Sequence, residues 1–122
     1  MKKAFSVILA AAIIAFSATV WAGSALKSIG NTGDAAITSG TGYLKGIIVH
    51  TDGTNSVTLA VYDNATAASG NKLLSTVTVT TSASNRTTTI DFKDFECPYF
   101  AGIYVDVTTS GTVTYDVYFE AI

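Results

Sequence analysis

The sequence contains few side chains whose types and spacing could support catalysis. His50 is its only histidine, and Asp52 follows two residues later, so a Ser-His-Asp set with one of the many serines can be considered. Such a set is recognised by geometry, which proximity in sequence does not supply. The stretch HTDGTN is more simply interpreted as a strand end followed by a tight hairpin turn, because Asp-Gly favours that turn. We therefore predict no catalytic residue and a protein that is not an enzyme.

Oxygen-bearing side chains near two inferred loops are the candidates for a calcium site, namely Asp52, Asn55, Asp63 and Asn64. A calcium ion takes about six to eight oxygen ligands, and these residues lack the spacing of a dedicated calcium loop. Asp and Asn are also common in turns, because their side chains bond the nearby backbone. One histidine cannot supply a zinc site with a second imidazole. The turn interpretation is favoured, and we predict neither a metal nor a cofactor.

Two triplets, Asn64-Ala65-Thr66 and Asn85-Arg86-Thr87, match the acceptor pattern for N-glycosylation. A pattern this short occurs by chance, and we interpret both triplets as exposed loops.

The N-terminus has the layout of a secretory signal peptide. Lys2 and Lys3 precede the apolar run from Ala4 to Phe16, and small residues close the segment at Ala22. This pattern predicts a helical signal peptide over residues 1–22, cleavage after Ala22 and a secreted product that is extracellular, at the cell surface or periplasmic. The alternative is a retained membrane anchor, because about 20 apolar residues span a bilayer. If the segment is a signal peptide, the protein contacts the membrane only through this segment and only before cleavage.

The charge of the mature chain argues against nucleic acid as a partner. Removing 22 of 122 residues leaves 100, and losing Lys2 and Lys3 changes the net charge from -2 to -4. The remaining cations are scattered singly and form no basic stripe along which a phosphate backbone could bind.

Cys97 is the only cysteine, so no internal disulfide can form. It is predicted to be either a buried apolar thiol or the partner in an intermolecular bridge.

Beyond the N-terminus the apolar residues follow a two-residue period, which is typical of half-buried strands. The clearest run is SVTLAVY, in which Val57, Leu59 and Val61 share one face. Similar runs are YLKGIIVHT, LLSTVTVTT, TTTIDFK, GIYVDVT and TVTYDVYFEAI. They predict an all-β fold, a single antiparallel β-sandwich or jelly roll of about six to eight strands.

The Gly- and Ser-rich segment 23–41 is predicted to be a flexible arm in which AAITS could form an edge strand, and residues 42–122 form the sandwich domain. The stretch VYDNATAASGNKLL is predicted to end one strand at Asp63 and Asn64 and to connect the two sheets.

Aromatic residues are numerous, and Tyr62, Tyr104 and Tyr118 project opposite the inferred core residues. If exposed together, they would form a platform for sugars or an interface with another subunit. The alternative is that this face belongs to the core. Tyr62, Tyr104 and Tyr118, with Asp63 and Asn64 at the rim, are the predicted interface, and Tyr62 is the first residue to test.

The passage from GYLKGIIVHTDGTNSVTLAVYDNATAASGNKLL to FECPYFAGIYVDVTTSGTVTYDVYF resembles small phage virion proteins of the β-sandwich type. The resemblance lies in a strand ending in Tyr-Asp-Asn, a small-residue loop with Gly, and a later Gly-Ile-Tyr-Val strand followed by a closing hairpin. It implies a domain that decorates or builds particles without chemistry. The closing strand TVTYDVYFEAI is more weakly similar to that of secreted pilin subunits.

These observations together predict an exported structural or interaction subunit that assembles with copies of itself into a filament, surface layer or particle. The alternative is a secreted carbohydrate-binding or adhesive module that uses exposed tyrosines and loop Asp and Asn side chains, with surface glycans as partners.

Overall fold

The structure is a computed structural model, and it describes residues 26–92 and 96–122. The regular structure in these ranges consists of β-strands. They are β1 (Leu26–Asn31), β2 (Ala35–Ser39), β3 (Gly42–Thr51), β4 (Val57–Tyr62), β5 (Lys72–Val79), β6 (Thr87–Asp91), β7 (Pro98–Tyr99), β8 (Gly102–Thr109) and β9 (Val113–Ala121).

The strands form two antiparallel sheets. Sheet I has the strand order β1-β9-β3-β6, and the short β7 pairs with the first residues of β3. Sheet II has the order β2-β8-β4-β5. The two sheets face each other across a shared apolar core, so the predicted antiparallel β-sandwich is confirmed.

The core follows directly from the two-residue period of the sequence. Successive side chains of a strand point to opposite faces, so every second apolar residue enters the space between the sheets. In β9 the buried side chains are Val113, Tyr115, Val117 and Phe119, and in β4 they include Val57, Leu59 and Val61. Fully burying one such side chain stabilises the fold by about 1.5–3 kcal/mol, and both sheets contribute to this core.

The chain crosses from one sheet to the other at most of its connections, which corrects one prediction. TDGTN was predicted to be a tight hairpin turn, but β3 belongs to sheet I and β4 to sheet II. The closing hairpin implied by the virion resemblance is also wrong, because β8 and β9 lie in different sheets. In both cases the two strands bury their apolar faces in the same core from opposite sheets. The alternating pattern is the same as it would be for two neighbouring strands of one sheet.

The connection from β4 to β5 is the reverse case. The stretch from Asp63 to Asn71 was predicted to link the sheets, but β4 and β5 are antiparallel neighbours in sheet II. The Asp63 N–H donates to the Asn71 carbonyl at 2.8 Å and closes the loop of a hairpin. Register shifts on both sides of Val61 accompany this hairpin.

The structure also differs from the prediction for the segment 23–41. Leu26–Asn31 pairs with β9 as an edge strand of sheet I, although its sequence shows no clean alternation. Ala35–Ser39 pairs with β8 as an edge strand of sheet II, where an edge strand was predicted. The predicted signal peptide, with its cleavage after Ala22, lies outside the described residues. Within residues 26–92 and 96–122 no helix is long and apolar enough to cross a membrane.

Gly53 in the crossing from β3 to β4 gives a first testable prediction. Its φ is +81°, a conformation that costs a residue with a Cβ about 1–2 kcal/mol, and an added Cβ would lie 2.8 Å from the Arg86 Nε. Gly53→Ala is therefore expected to lower the free energy of unfolding by about 1–2 kcal/mol in urea denaturation. Gly33→Ala is the control, because a Cβ there meets nothing within 4 Å. Equal effects of the two substitutions would contradict this explanation.

Candidate functional site

The structure places His50 and Asp52 in different environments. His50 lies on the outer face of sheet I, where its Nδ1 is 3.1 Å from the Thr87 Oγ1 and its Nε2 is 3.6 Å from an Asp116 carboxylate oxygen. Protonation of His50 would turn the second contact into an ion pair. The carboxylate beside His50 therefore belongs to Asp116 and not to Asp52, its neighbour in sequence.

Asp52 holds the crossing from β3 to β4 against the turn between β8 and β9. One of its oxygens accepts the N–H groups of Thr54 and Asn55, both at 2.8 Å. The other accepts the Asn55 side-chain amide at 2.9 Å and the Thr112 N–H at 3.2 Å. The side-chain bond from Asn55, followed by the backbone bonds, holds the pKa of Asp52 well below its usual range. This carboxylate is ionised and occupied in a structural role.

Asp63 joins the end of β4 to the turn between β7 and β8. Its carboxylate accepts the Phe100 N–H at 2.9 and 3.1 Å, the Ala101 N–H at 2.8 Å and the Gly102 N–H at 3.3 Å. Partial burial raises the pKa of Asp63, but these backbone bonds outweigh it and the net shift is downward. We refer to Asp63 and these three amides as the Asp63 clamp.

Asn64 organises its own loop. Its side-chain oxygen accepts the N–H groups of Thr66 at 2.9 Å and Ala67 at 3.0 Å, and its amide donates to the Ser69 carbonyl at 3.2 Å. This is the local bonding expected of a turn asparagine. Asp63 and Asn64 thus bond to the backbone, as the turn interpretation predicted. No group of three His, Cys, Asp or Glu in the described ranges could hold a metal ion.

The structure separates the three predicted interface tyrosines. Tyr62 and Tyr104 are directly opposite each other in the β4–β8 pair, on the outer face of sheet II. The Lys72 Nζ lies 5.6 Å from the centre of the Tyr62 ring. Tyr118 projects from the outer face of sheet I, on the other side of the sandwich. A single platform containing all three tyrosines is therefore wrong, although all three are half-buried and turned away from the core.

Tyr118 lines a shallow groove of about 190 Å³ on the outer face of sheet I. The side chains of Ile48 and Thr89 line the same groove, and the glycine at position 46 leaves room between them. At one end Lys45 forms an ion pair with Glu120 at 3.3 Å.

Cys97 is half-buried and packs against the core, and its Sγ is 3.7 Å from the Leu73 carbonyl oxygen. Burial raises the pKa of the thiol, so the reactive thiolate is scarce at neutral pH. Of the two predicted roles, this environment favours the buried thiol over the intermolecular bridge.

The environment of Cys97 gives a second prediction. The native thiol is expected to react with a disulfide reagent at pH 8 roughly tenfold or more slowly than in the denatured chain, because thiolate and access are both reduced. Absorbance of the released thiol reports the rate. A rate equal to that of the denatured chain would contradict the description.

Strand β1 exposes large apolar side chains that the sequence pattern did not predict to lie on a strand. Leu26 and Ile29 in β1 are 42% and 58% exposed, and Phe100 and Ile122 are the other large apolar side chains exposed in the described part of the chain. The weak alternation of LKSIGN hid this strand, since a strand at a sheet edge need not bury alternate residues deeply.

No protein-family model matches the chain, and no curated protein matches it. Among solved structures, it is similar to a chain of infectious bursal disease virus, Gx strain, with 11% identity and a TM-score of 0.36 over 81% of this chain and 27% of that one. For the Gt strain the values are 11% identity, a TM-score of 0.36, and 80% and 29% coverage. The chain thus spans less than a third of the length of these viral chains.

Proposed function

We propose that this protein is an exported, non-catalytic structural subunit that assembles with copies of itself into a filament, surface layer or particle outside the cytoplasm. The observation that carries the proposal is the exposure of apolar side chains on an edge strand. Leu26 and Ile29 lie on β1, which pairs on one side only among the described strands. An edge strand presents backbone groups that can pair with another chain, and exposed apolar side chains there add area to bury.

The hydrogen bonding of the loops supports the same role. Asp52, Asp63 and Asn64 are the loop side chains best suited to bind a ligand, and all three bond to backbone groups of their own or of neighbouring loops. A carboxylate that accepts several N–H groups is a poor proton acceptor, because those bonds favour its charged form. These residues stiffen both ends of the sandwich, as suits a building block.

Sedimentation velocity of the chain beginning at Gly23, measured over a wide concentration range and followed by negative-stain imaging, tests this proposal. Self-assembly predicts a sedimentation coefficient that rises with concentration and regular objects in the images. A monomer at every concentration would overturn the proposal.

A carbohydrate-binding module is the second candidate, and the register of Tyr62 and Tyr104 favours it. Two aromatic rings side by side on an outer sheet face offer a stacking surface for a sugar ring. A glycan array tests this candidate with Tyr62→Ala and Tyr104→Ala as variants and Tyr118→Ala as the control on the opposite face. Saturable binding lost only in the first two variants would support it, and absence of binding by the wild type would exclude it. Repeating the array with a chelator tests calcium-assisted contacts.

A further inference from the structure

The two edge strands of sheet I, β1 and β6, have directions that allow one copy to pair with the next. Along β1-β9-β3-β6 each strand is antiparallel to its neighbour. Because this order contains four strands, the two outer strands β1 and β6 run in opposite directions. When a second copy is placed beside the first, its β1 is therefore antiparallel to the β6 it meets, and an antiparallel ladder can continue from one copy to the next.

Two residues of β6 turn backbone pairing groups toward this edge, where no other described strand pairs with them. The Phe92 N–H donates to the Lys45 carbonyl at 2.9 Å, and the Thr51 N–H donates to the Arg86 carbonyl at 2.8 Å. Hydrogen-bonded and non-hydrogen-bonded pairs alternate along an antiparallel ladder. Thr87 and Thr89 fall between the bonded positions, so their N–H and C=O groups point away from β3 and toward the open edge.

Charge also matches across the two edges. Lys27 is opposite Tyr118, Tyr118 is opposite Gly46, and Gly46 is opposite Asp91. These four residues form one row across the outer face of sheet I, with exposed Lys27 at one edge and exposed Asp91 at the other. If a second copy is placed so that this row of residues continues into it, the Lys27 of the second copy lies beside the Asp91 of the first. The next row runs from Thr89 through Ile48 to Asp116 of β9, whose carboxylate accepts the Gly30 N–H of β1 at 2.9 Å.

We infer that copies of this chain join through sheet I, with the β6 edge of one copy pairing antiparallel with the β1 edge of the next and Asp91 opposite Lys27. This inference rests on the proposed self-assembly and names its surfaces. The contact uses two different surfaces of the same molecule, so it repeats without closing unless a ring forms. The right-handed twist of the sheet rotates each copy relative to the last, which makes the product helical.

The backbone part of the contact is tested by Thr89→Pro in the chain beginning at Gly23. Proline removes the edge-facing N–H of Thr89 and leaves the ladder to β3 intact, since edge strands tolerate proline. The critical concentration for assembly, measured by sedimentation, is expected to rise roughly tenfold. Thr89→Val keeps the N–H and should assemble as the wild type does. Assembly of the Thr89→Pro variant at the wild-type concentration would overturn the inference.

The charge part is tested by exchanging the two residues. Lys27→Glu and Asp91→Lys should each raise the critical concentration roughly fivefold, because like charges then face each other. An equimolar mixture of the two variants should assemble near the wild-type concentration as an alternating polymer, since each interface again joins opposite charges. Failure of the mixture to recover, with the single variants impaired, would overturn the assigned register.

Lysines on edge strands also serve to prevent association, and Lys27→Ala separates that role from the proposed one. A protective lysine predicts stronger association in the variant, whereas the inferred pairing predicts weaker association. A wild-type chain that remains monomeric would defeat the proposed function itself. A wild-type chain that assembles, with all edge variants unchanged, would defeat only the assignment to sheet I.

Discussion

Tyr115→Ala is expected to lower the free energy of unfolding by about 3–5 kcal/mol, the range for removing a large aromatic side chain from a core. Tyr115 is fully buried in β9, and its hydroxyl donates to the Gly33 carbonyl at 2.6 Å. The ring fills the space between the sheets, while the hydroxyl attaches the connection between β1 and β2. Urea denaturation monitored by circular dichroism measures the loss, and the variant is expected to be largely unfolded at moderate temperature.

Tyr115→Phe separates the two contributions of this side chain. It keeps the ring and loses the bond to Gly33, so a cost of about 1 kcal/mol is expected. Burial raises the pKa of Tyr115 above its ordinary value of 10.0, because the charged form would be desolvated. Wild-type stability should therefore fall as the pH rises above 10, where the unfolded chain ionises first, and Tyr115→Phe should lack this contribution. The same alkaline loss in both proteins would contradict the assignment.

Asp63→Ala is expected to lower the free energy of unfolding by about 2–3 kcal/mol, because hydrogen bonds to a charged group are strong and their donors lose their partner. The Asp63 clamp holds three consecutive N–H groups of the turn that leads into β8. Asp63→Asn should lose about half as much, since its amide oxygen can still accept a bond without the charge.

The pH dependence of the Asp63 clamp follows from the lowered pKa. Its stabilisation is present above the ordinary pKa of 3.8 and is lost as the pH falls through the lower native value. The difference in unfolding free energy between wild type and Asp63→Asn should thus shrink between pH 5 and strongly acidic solution. Asp106→Asn is the control, because burial and the nearby Asp34 raise the pKa of Asp106. Removing that charge should be neutral or stabilising at pH 7, and a loss as large as that of Asp63→Asn would contradict the comparison.

The sequence contained enough information to predict most of the strands and their buried faces, although not β1. Alternation in SVTLAVY and TVTYDVYFEAI follows from the two-residue repeat of a strand, and tertiary context does not change it. The same alternation is seen whichever sheet a strand joins, so it could not place Tyr62 and Tyr104 on one face of the sandwich and Tyr118 on the other. Asp-Gly in HTDGTN marks a turn, but a turn within a sheet and a crossing between sheets use the same residues.

The partners of Asp63 and the alignment of Lys27 with Asp91 were harder to predict, because both depend on contacts between residues that are far apart in sequence. Asp63 was recognised as a turn residue, but the N–H groups that it binds lie 37 to 39 residues further along the chain. Lys27 and Asp91 lie in the same row of sheet I only because of the registers of three successive strand pairs. Such registers are set by the packing of the whole sandwich, and no local pattern in LKSIGN encodes them.

Residue-resolved amide hydrogen exchange of the chain beginning at Gly23, compared at low and high protein concentration, tests the central claim most directly. In the monomer the Thr87 and Thr89 amides point away from β3 and pair with no other described strand, so they should exchange rapidly. Assembly through sheet I predicts that these two amides become protected at high concentration, while the core amides of Val49 and Val117 exchange slowly under both conditions. Identical exchange of Thr87 and Thr89 at the two concentrations would contradict the account.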